Sequence, residues 1–215
     1  LKVSKANSIF SALLTPQGKY LFEFFIIKSN NGYYLDCDIK IIEELLNNLS
    51  KYKLRSKVNI QNLSEEFVIG IISLEKFKEI QNLEKTKNGT IIYRETPILI
   101  DPRKKELGAR ILSSLQKLYL TIKKLNLKIT NVKIYHDLAY QQGIPVQGLE
   151  NLKDQLFGLE ANFEELKGVD FKKGCYVGQE NTARMKLKNK LRRKLMPIKV
   201  KGKISIGSEI MFNNL

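Results

Sequence analysis

The spacing of apolar residues between positions 19 and 101 is what most constrains this fold. Residues 19–27 are rich in aromatic and β-branched side chains and predict a strand. Asn30-Asn31-Gly32 is a hairpin signal, and residues 33–37 read as the return strand. From Asp38, a residue suited to cap a helix, the residues Ile41, Ile42, Leu45, Leu46 and Leu49 form one helical stripe that ends near Tyr52. Strands are then predicted over 57–63 and 67–73, a short helix over 75–83, and strands over 90–94 and 98–101. This β-β-α-β-β-α-β-β order with short connections predicts an α+β fold, an antiparallel sheet carrying helices on one face.

The rest of the chain is less regular. Residues 11–18 end in Thr-Pro-Gln-Gly, a turn. Asp101-Pro102-Arg103 breaks the strand pattern, and helical periodicity follows over 107–125. A second helix over 134–142 stops at Gln142-Gly143-Ile144-Pro145, because Gly accepts a positive φ and Pro cannot continue the helix. Residues 146–170 are loop-rich with scattered apolar anchors. After Lys190 the pattern returns to strands, at 195–200 and 209–212. The sequence opens on Leu1 and stops mid-pattern at Leu215, which predicts a final β domain cut short.

Composition narrows the function. The formal charge is +15, from 37 basic and 22 acidic residues, and points to an anionic partner such as nucleic acid, a membrane surface or a polyanionic small molecule. The abundance of Lys, Ile and Asn explains the same excess as compositional bias. Nowhere do apolar residues run for the ~20 positions that a membrane span needs. There are two Cys, Cys37 and Cys175, and one His, His136. A closed zinc site takes four N or S ligands, and an iron–sulfur cluster takes about four thiolates. One copy of this chain supplies neither, which leaves open a cluster shared with a partner or a small thiol. Two isolated thiols predict a reducing, cytosolic compartment.

The most unusual segment runs from Phe171 to Glu180, where Cys175 sits between Gly174 and Gly178 after Lys172 and Lys173, with a helix expected from Gln179. Lysines and a helix N-terminus both favour thiolate over thiol, so Cys175 is the candidate reactive or metal-binding group. The alternative is a small side chain filling a corner between glycines. Cys37, in an alternating strand near Leu35, reads as core. His136 precedes Asp137 in a helix, where adjacent residues do not face each other, so it is not a base.

These residues carry a resemblance. Lys-Gly-Cys-Tyr-x-Gly-Gln-Glu at 173–180 resembles the signature of the YgfZ proteins, folate-binding iron–sulfur assembly relatives of the glycine-cleavage T protein, an aminomethyltransferase. Other matches follow in order. They are Leu14-Thr15-Pro16-Gln17-Gly18-Lys19, Leu35-Asp36, Leu54-Arg55, Asp101-Pro102-Arg103, Leu107-Gly108-x-Arg110, Tyr135 with Gly143-Ile144-Pro145, Glu160-Ala161-Asn162, Ala183-Arg184 and Arg192-Arg193. The chain departs from the family at Gly158, often Pro, and at Ala139, where an Arg is expected. The resemblance implies a first strand before Leu1 and most of a last domain after Leu215 that lie outside this sequence.

The resemblance implies a ring-like arrangement of antiparallel-sheet domains with packed helices around a central opening, plus a truncated C-terminal β-barrel domain. The implied units are 1–18 with 105–190, a ferredoxin-like sheet domain at 19–104, and the start of a β domain at 191–215. A tetrahydrofolate-type ligand would occupy the opening, with Arg103, Arg110 and Arg184 near its carboxylates; a structural ion pair is the alternative for each arginine. For Asp101 a turn-forming role beside Pro102 stands against ligand contact. The expected function is an iron–sulfur assembly factor rather than a classical enzyme. Cys175 would be its nucleophile or transient cluster ligand, set in a signature of Lys173, Gly174, Tyr176, Gly178, Gln179 and Glu180. No resident metal is implied. The implied partners are iron–sulfur assembly proteins and client 4Fe–4S enzymes, including tRNA-modifying ones, served by a monomer in a bacterial cytoplasm.

Two other functions are compatible with parts of the sequence. A folate-dependent aminomethyltransferase needs a carboxylate in the first turn of the helix after the second hairpin strand, and Asp36 and Asp38 fall too early. A tRNA-binding accessory protein would use residues 186–203, which hold nine basic residues and no acidic one. That run alternates with Leu187, Leu191, Leu195, Ile198 and Val200, as a solvated face does.

Overall fold

The computed structural model describes residues 3–188, 191–205 and 207–211. Strands β1 (Ile9–Leu14), β2 (Tyr20–Lys28) and β3 (Tyr33–Asp36) form one antiparallel sheet in that order. Asp38 caps the 3-10 turn Ile39–Ile41, its carboxylate accepting from the Lys40 amide at 2.9 Å, and α1 (Ile42–Lys53) follows. Then come β4 (Val68–Ile72), α2 (Leu74–Leu83), β5 (Thr90–Tyr93), β6 (Thr96–Ile100) and β7 (Ala109–Ser113). The four strands β4–β7 form a second antiparallel sheet in the order β4-β7-β6-β5. The helices α3 (Leu115–Lys124), α4 (Lys133–Gln141) and α5 (Gln179–Leu187), with 3-10 turns at Lys105–Leu107 and Leu149–Leu152, complete the described elements.

The α+β class and antiparallel pairing agree with the sequence, and several elements correct it. The strands form two sheets and not one, because β2 takes β1 on one edge and β3 on the other. The first sheet joins β1 to β2 and β3, and the second joins β7 to β4, β5 and β6. Residues 57–63 form no strand. A strand occupies 109–113, where the periodicity predicted a helix from 107; α3 starts only after Ser114, whose hydroxyl accepts from the Lys117 amide. The cause is tertiary: β7 is the one strand that pairs with both β4 and β6. Gly108 makes its entry feasible, since at φ +81° an added Cβ would lie 2.0 Å from the Ile72 carbonyl oxygen.

Residues 195–200 and 209–211 are not strands either, and there is no closed barrel among the described residues; Phe212 lies outside them. The backbone of Leu195 bonds instead to the 160–162 segment, its amide to the Glu160 carbonyl at 2.9 Å and its carbonyl to Asn162 Nδ2 at 2.9 Å.

Strand β2 is apolar on both faces because it is covered on both. Phe22 and Phe24 pack with Ile41 and Leu45. Phe25 and Ile27 join Leu99, Leu112, Ile144 and Phe163 in the largest core. The β1–β2 register shifts between Leu13 and Leu14, and this bulge brings Tyr20 into the same core as Phe25. A third core joins Phe77 and Ile80 of α2 to Ile98 and Ile111. The loop-rich stretch is anchored as expected, through buried Leu149, Leu156, Leu159, Phe163 and Leu166.

Candidate functional site

The signature loop is fastened immediately after its cysteine. Cys175 is exposed, and so are Lys172, Lys173 and Gly174 before it. Tyr176 packs against the largest core, and its amide donates to Gln179 Oε1 at 3.3 Å. Burial pushes the Tyr176 phenol above its ordinary range. Lys173 Nζ lies 4.8 Å from the Tyr176 ring centroid, and Lys186 Nζ lies 4.6 Å from that of Phe171. Gly178 caps α5 at φ +84°. A Cβ there would lie 2.6 Å from the Thr15 carbonyl oxygen and 2.9 Å from Gly18 Cα. Two motifs read separately in the sequence, the Thr-Pro-Gln-Gly turn and the signature, are therefore in backbone contact.

Arg103 and Arg110 come together around Phe25, their guanidinium carbons 4.8 Å and 4.4 Å from its ring centroid. Arg103 is buried and grips Asp101 through Nε to Oδ1 at 3.0 Å and Nη2 to Oδ2 at 2.8 Å, and Nη2 also donates to Tyr135 Oη at 2.9 Å. Asp101 also accepts from the Arg103 amide at 2.9 Å, the turn-forming role read from its place beside Pro102. Arg110 Nε donates to Asp36 Oδ2 at 2.7 Å, tying β7 to β3. Burial acts against both guanidinium charges, and the facing Asp101 and Asp36 carboxylates outweigh it, so both are held above the ordinary range. Arg184 is not part of this group. It is exposed and pairs with Glu180 one turn back on α5 at 2.7 Å.

Two cavities border these residues. One, of about 580 Å³, is lined by Ile9, Phe10, Arg103, Lys104, Lys105 and Lys167, among others. The other, of about 500 Å³, lies on α5 and is lined by Gln179, Glu180, Ala183, Arg184, Leu187 and Lys188. Arg103 therefore borders the first cavity and Arg184 the second, while Arg110 and Cys175 line neither.

Sequence reasoning missed Tyr20 and Glu23. Tyr20 Oη and Glu23 Oε2 are buried without a partner in hydrogen-bond geometry among the described residues. Burial raises the Glu23 carboxyl, and burial together with Glu23 raises the Tyr20 phenol. The available signal was Glu23 itself, the only acidic residue of the nine-residue strand Tyr20–Lys28. Cys37 is half-buried, and burial next to Asp36 and Asp38 pushes its thiol up to about 12, a structural and not a reactive thiol. No cluster of His, Cys, Asp and Glu suited to a metal ion occurs among the described residues.

Both carboxylates weighed for the transferase reading are engaged, Asp36 by Arg110 and Asp38 at the Lys40 amide. The basic run is partly neutralised too: Lys186, Arg193 and Lys194 pair with Glu164, Glu160 and Glu165. Leu187, Met196 and Ile198 within it are exposed.

No family model matches the chain. Comparison with curated proteins supplies the connection. The chain is similar to iron–sulfur cluster assembly factors. It is 29% identical over 204 residues to the mitochondrial iron-sulfur cluster assembly factor IBA57 of Mus musculus, covering 92% of this chain and 55% of that protein. The homologue in Dictyostelium discoideum is 28% identical over 219 residues, covering 91% and 53%. The Homo sapiens protein is 28% identical over 202 residues, covering 90% and 54%. The chain thus spans about half the length of these relatives. They are named as mitochondrial proteins, which overturns the expectation of a bacterial cytoplasm.

Proposed function

We propose that this chain is part of an iron–sulfur cluster assembly factor of the YgfZ type and that Cys175 is its working thiol. The observation that carries the reading is the position of Cys175, exposed directly before a residue anchored in the core. A single accessible thiol suits a cluster in transit, which is cargo here: Cys175 would act as one ligand or as a nucleophile, and a partner, a folate or glutathione would supply the rest. The similarity to assembly factors supports the same direction. The partners are iron–sulfur assembly proteins and 4Fe–4S client enzymes, tRNA-modifying ones among them. The division into units at 1–18 with 105–190, at 19–104 and at 191–215 belongs to the same proposal.

A tetrahydrofolate-type ligand fits the larger cavity in charge and in volume. Its carboxylates would meet the amines of Lys104, Lys105 and Lys167, and its flat body the side chains of Ile9 and Phe10. The Arg103 charge is already met by Asp101, so its part is to shape the wall and not to bind the tail, while Arg110, paired with Asp36, stands outside the cavity lining. Bound there, the folate would supply a one-carbon or redox-active ring.

Replacing Cys175 by Ser tests the proposal. The variant should fold with an unchanged melting temperature and fail to restore 4Fe–4S enzyme activity in cells that lack the protein. Full restoration by Cys175→Ser would overturn the thiol's role.

A further inference from the structure

The contact between the 15–18 turn and α5 is closer than packing alone requires. Gly18 and Gly178 both hold positive φ, at +83° and +84°, and each leaves space that the other's backbone fills. A Cβ on Gly18 would meet the Gly178 carbonyl oxygen and Thr182 Oγ1 at 3.1 Å each. Thr182 Oγ1 in turn donates to the Gly178 carbonyl at 2.8 Å, and Asn181 Nδ2 reaches back to the Gln17 carbonyl at 3.1 Å. The turn is itself closed by the Gly18 amide on the Thr15 carbonyl at 2.8 Å and by the Lys19 amide on Thr15 Oγ1 at 3.1 Å. A rigid turn between two sheet strands is thereby clamped onto the first turn of a helix more than 150 residues away.

Three residues before that clamp stands Cys175, with Tyr176 in the core between them. Phe171 to Gly174 form no regular structure, and Lys172, Lys173 and Gly174 are exposed. On the N-terminal side the contacts are the Lys172 amide on Asp170 Oδ1 at 2.8 Å and Lys186 over the Phe171 ring, whereas on the C-terminal side the backbone itself is clamped. We infer that the 15–18 turn, with Gly18 and Asn181, is a positioning device that fixes the Cys175 loop on the body of the protein. This inference rests on the reading of Cys175 as the working thiol. It adds that the thiol's placement is governed by the β1–β2 connection and not only by its own loop.

The test is a nitroxide attached to Cys175, read by its mobility in the whole chain. Gly18→Ala and Asn181→Ala should each raise that mobility by about two-fold or more, as release of a fastened segment does. Asn48→Ala is the control, since it removes an exposed asparagine bond of the same kind, Nδ2 to the Glu44 carbonyl at 2.8 Å on α1, and should leave the label unchanged. Asn181→Ala should keep its melting temperature, so it decides the matter if Gly18→Ala fails to fold. Unchanged label mobility in folded Asn181→Ala overturns the inference. The same variants in the client-enzyme assay separate the two readings. Raised mobility with full activity overturns the positioning role and leaves the thiol's role to Cys175→Ser; raised mobility with reduced activity supports both.

Discussion

Removing the Asp36 charge should cost more than any surface substitution in this protein. Asp36 Oδ2 accepts from Arg110 Nε at 2.7 Å, and the two side chains are 4% and 13% exposed. At an effective dielectric of about 20, unit charges 4 Å apart interact by roughly 4 kcal/mol. Asp36→Asn keeps the shape and leaves the Arg110 guanidinium buried against Phe25 without its counter-charge. Breaking a buried pair from one side costs about 3–5 kcal/mol. For a chain of this size, each kcal/mol moves the melting temperature by about 2–4 °C, so the expected fall is about 6–20 °C. Urea unfolding followed by circular dichroism at pH 7 measures the free energy directly. The double variant Asp36→Leu with Arg110→Met removes both charges and should recover most of the loss, since a buried pair replaced by apolar side chains is often neutral. The Asp36→Asn difference should persist in 1 M salt, where exposed pairs are screened. A cost below about 1 kcal/mol, the range of exposed pairs, would refute the reasoning.

Three further outcomes are expected. Glu23 is raised by burial, so the folded state holds its proton more tightly than the unfolded state and stability falls as pH rises through the raised value; Glu23→Gln should stabilise at pH 7, with the gain vanishing below the ordinary glutamate value of about 4.3 in a pH series of urea midpoints. Iodoacetamide at pH 8 should modify Cys175 in the folded protein and leave Cys37, held up to about 12, untouched until urea unfolds the chain; peptide mass mapping reads both sites. Gly108→Ala should destabilise by at least the ~1–3 kcal/mol of a strained backbone position, with further loss from the clash at the Ile72 carbonyl, and thermal unfolding measures the total.

The elements legible in the sequence are those whose cause is local. The β2–β3 hairpin follows from its aromatic run and Asn-Asn-Gly turn, α1 follows from its apolar stripe after Asp38, and α2 forms where a short helix was expected at 75–83. The strand at 109–113 was not legible. Its apolar spacing also fits a helix, and only pairing with β4 and β6 decides between the two. The strands expected at 57–63 and 195–200 did not form, because β-propensity without a partner edge leaves backbone groups that other contacts satisfy better. At the candidate site, Cys175 and its glycines were visible as an unusual string, and Glu23 was visible only as a charge out of place.

By itself, then, the sequence determined the α+β class, the candidate thiol and the separate motifs around it, since each depends on residues within a few positions of one another. The tertiary structure decided which motifs meet. It placed Arg110 on Asp36, 74 residues away, and Asn181 on Gln17, 164 residues away. It also paired Arg103 and Arg110 with the buried carboxylates of Asp101 and Asp36, and drew part of the basic run onto Glu160, Glu164 and Glu165. The physical reason is range. Periodicity and capping act over one or two turns of chain, whereas the pairing of a buried charge is fixed by whichever opposite charge the packed sheets bring within 3 Å, as Asp36 meets Arg110 at 2.7 Å.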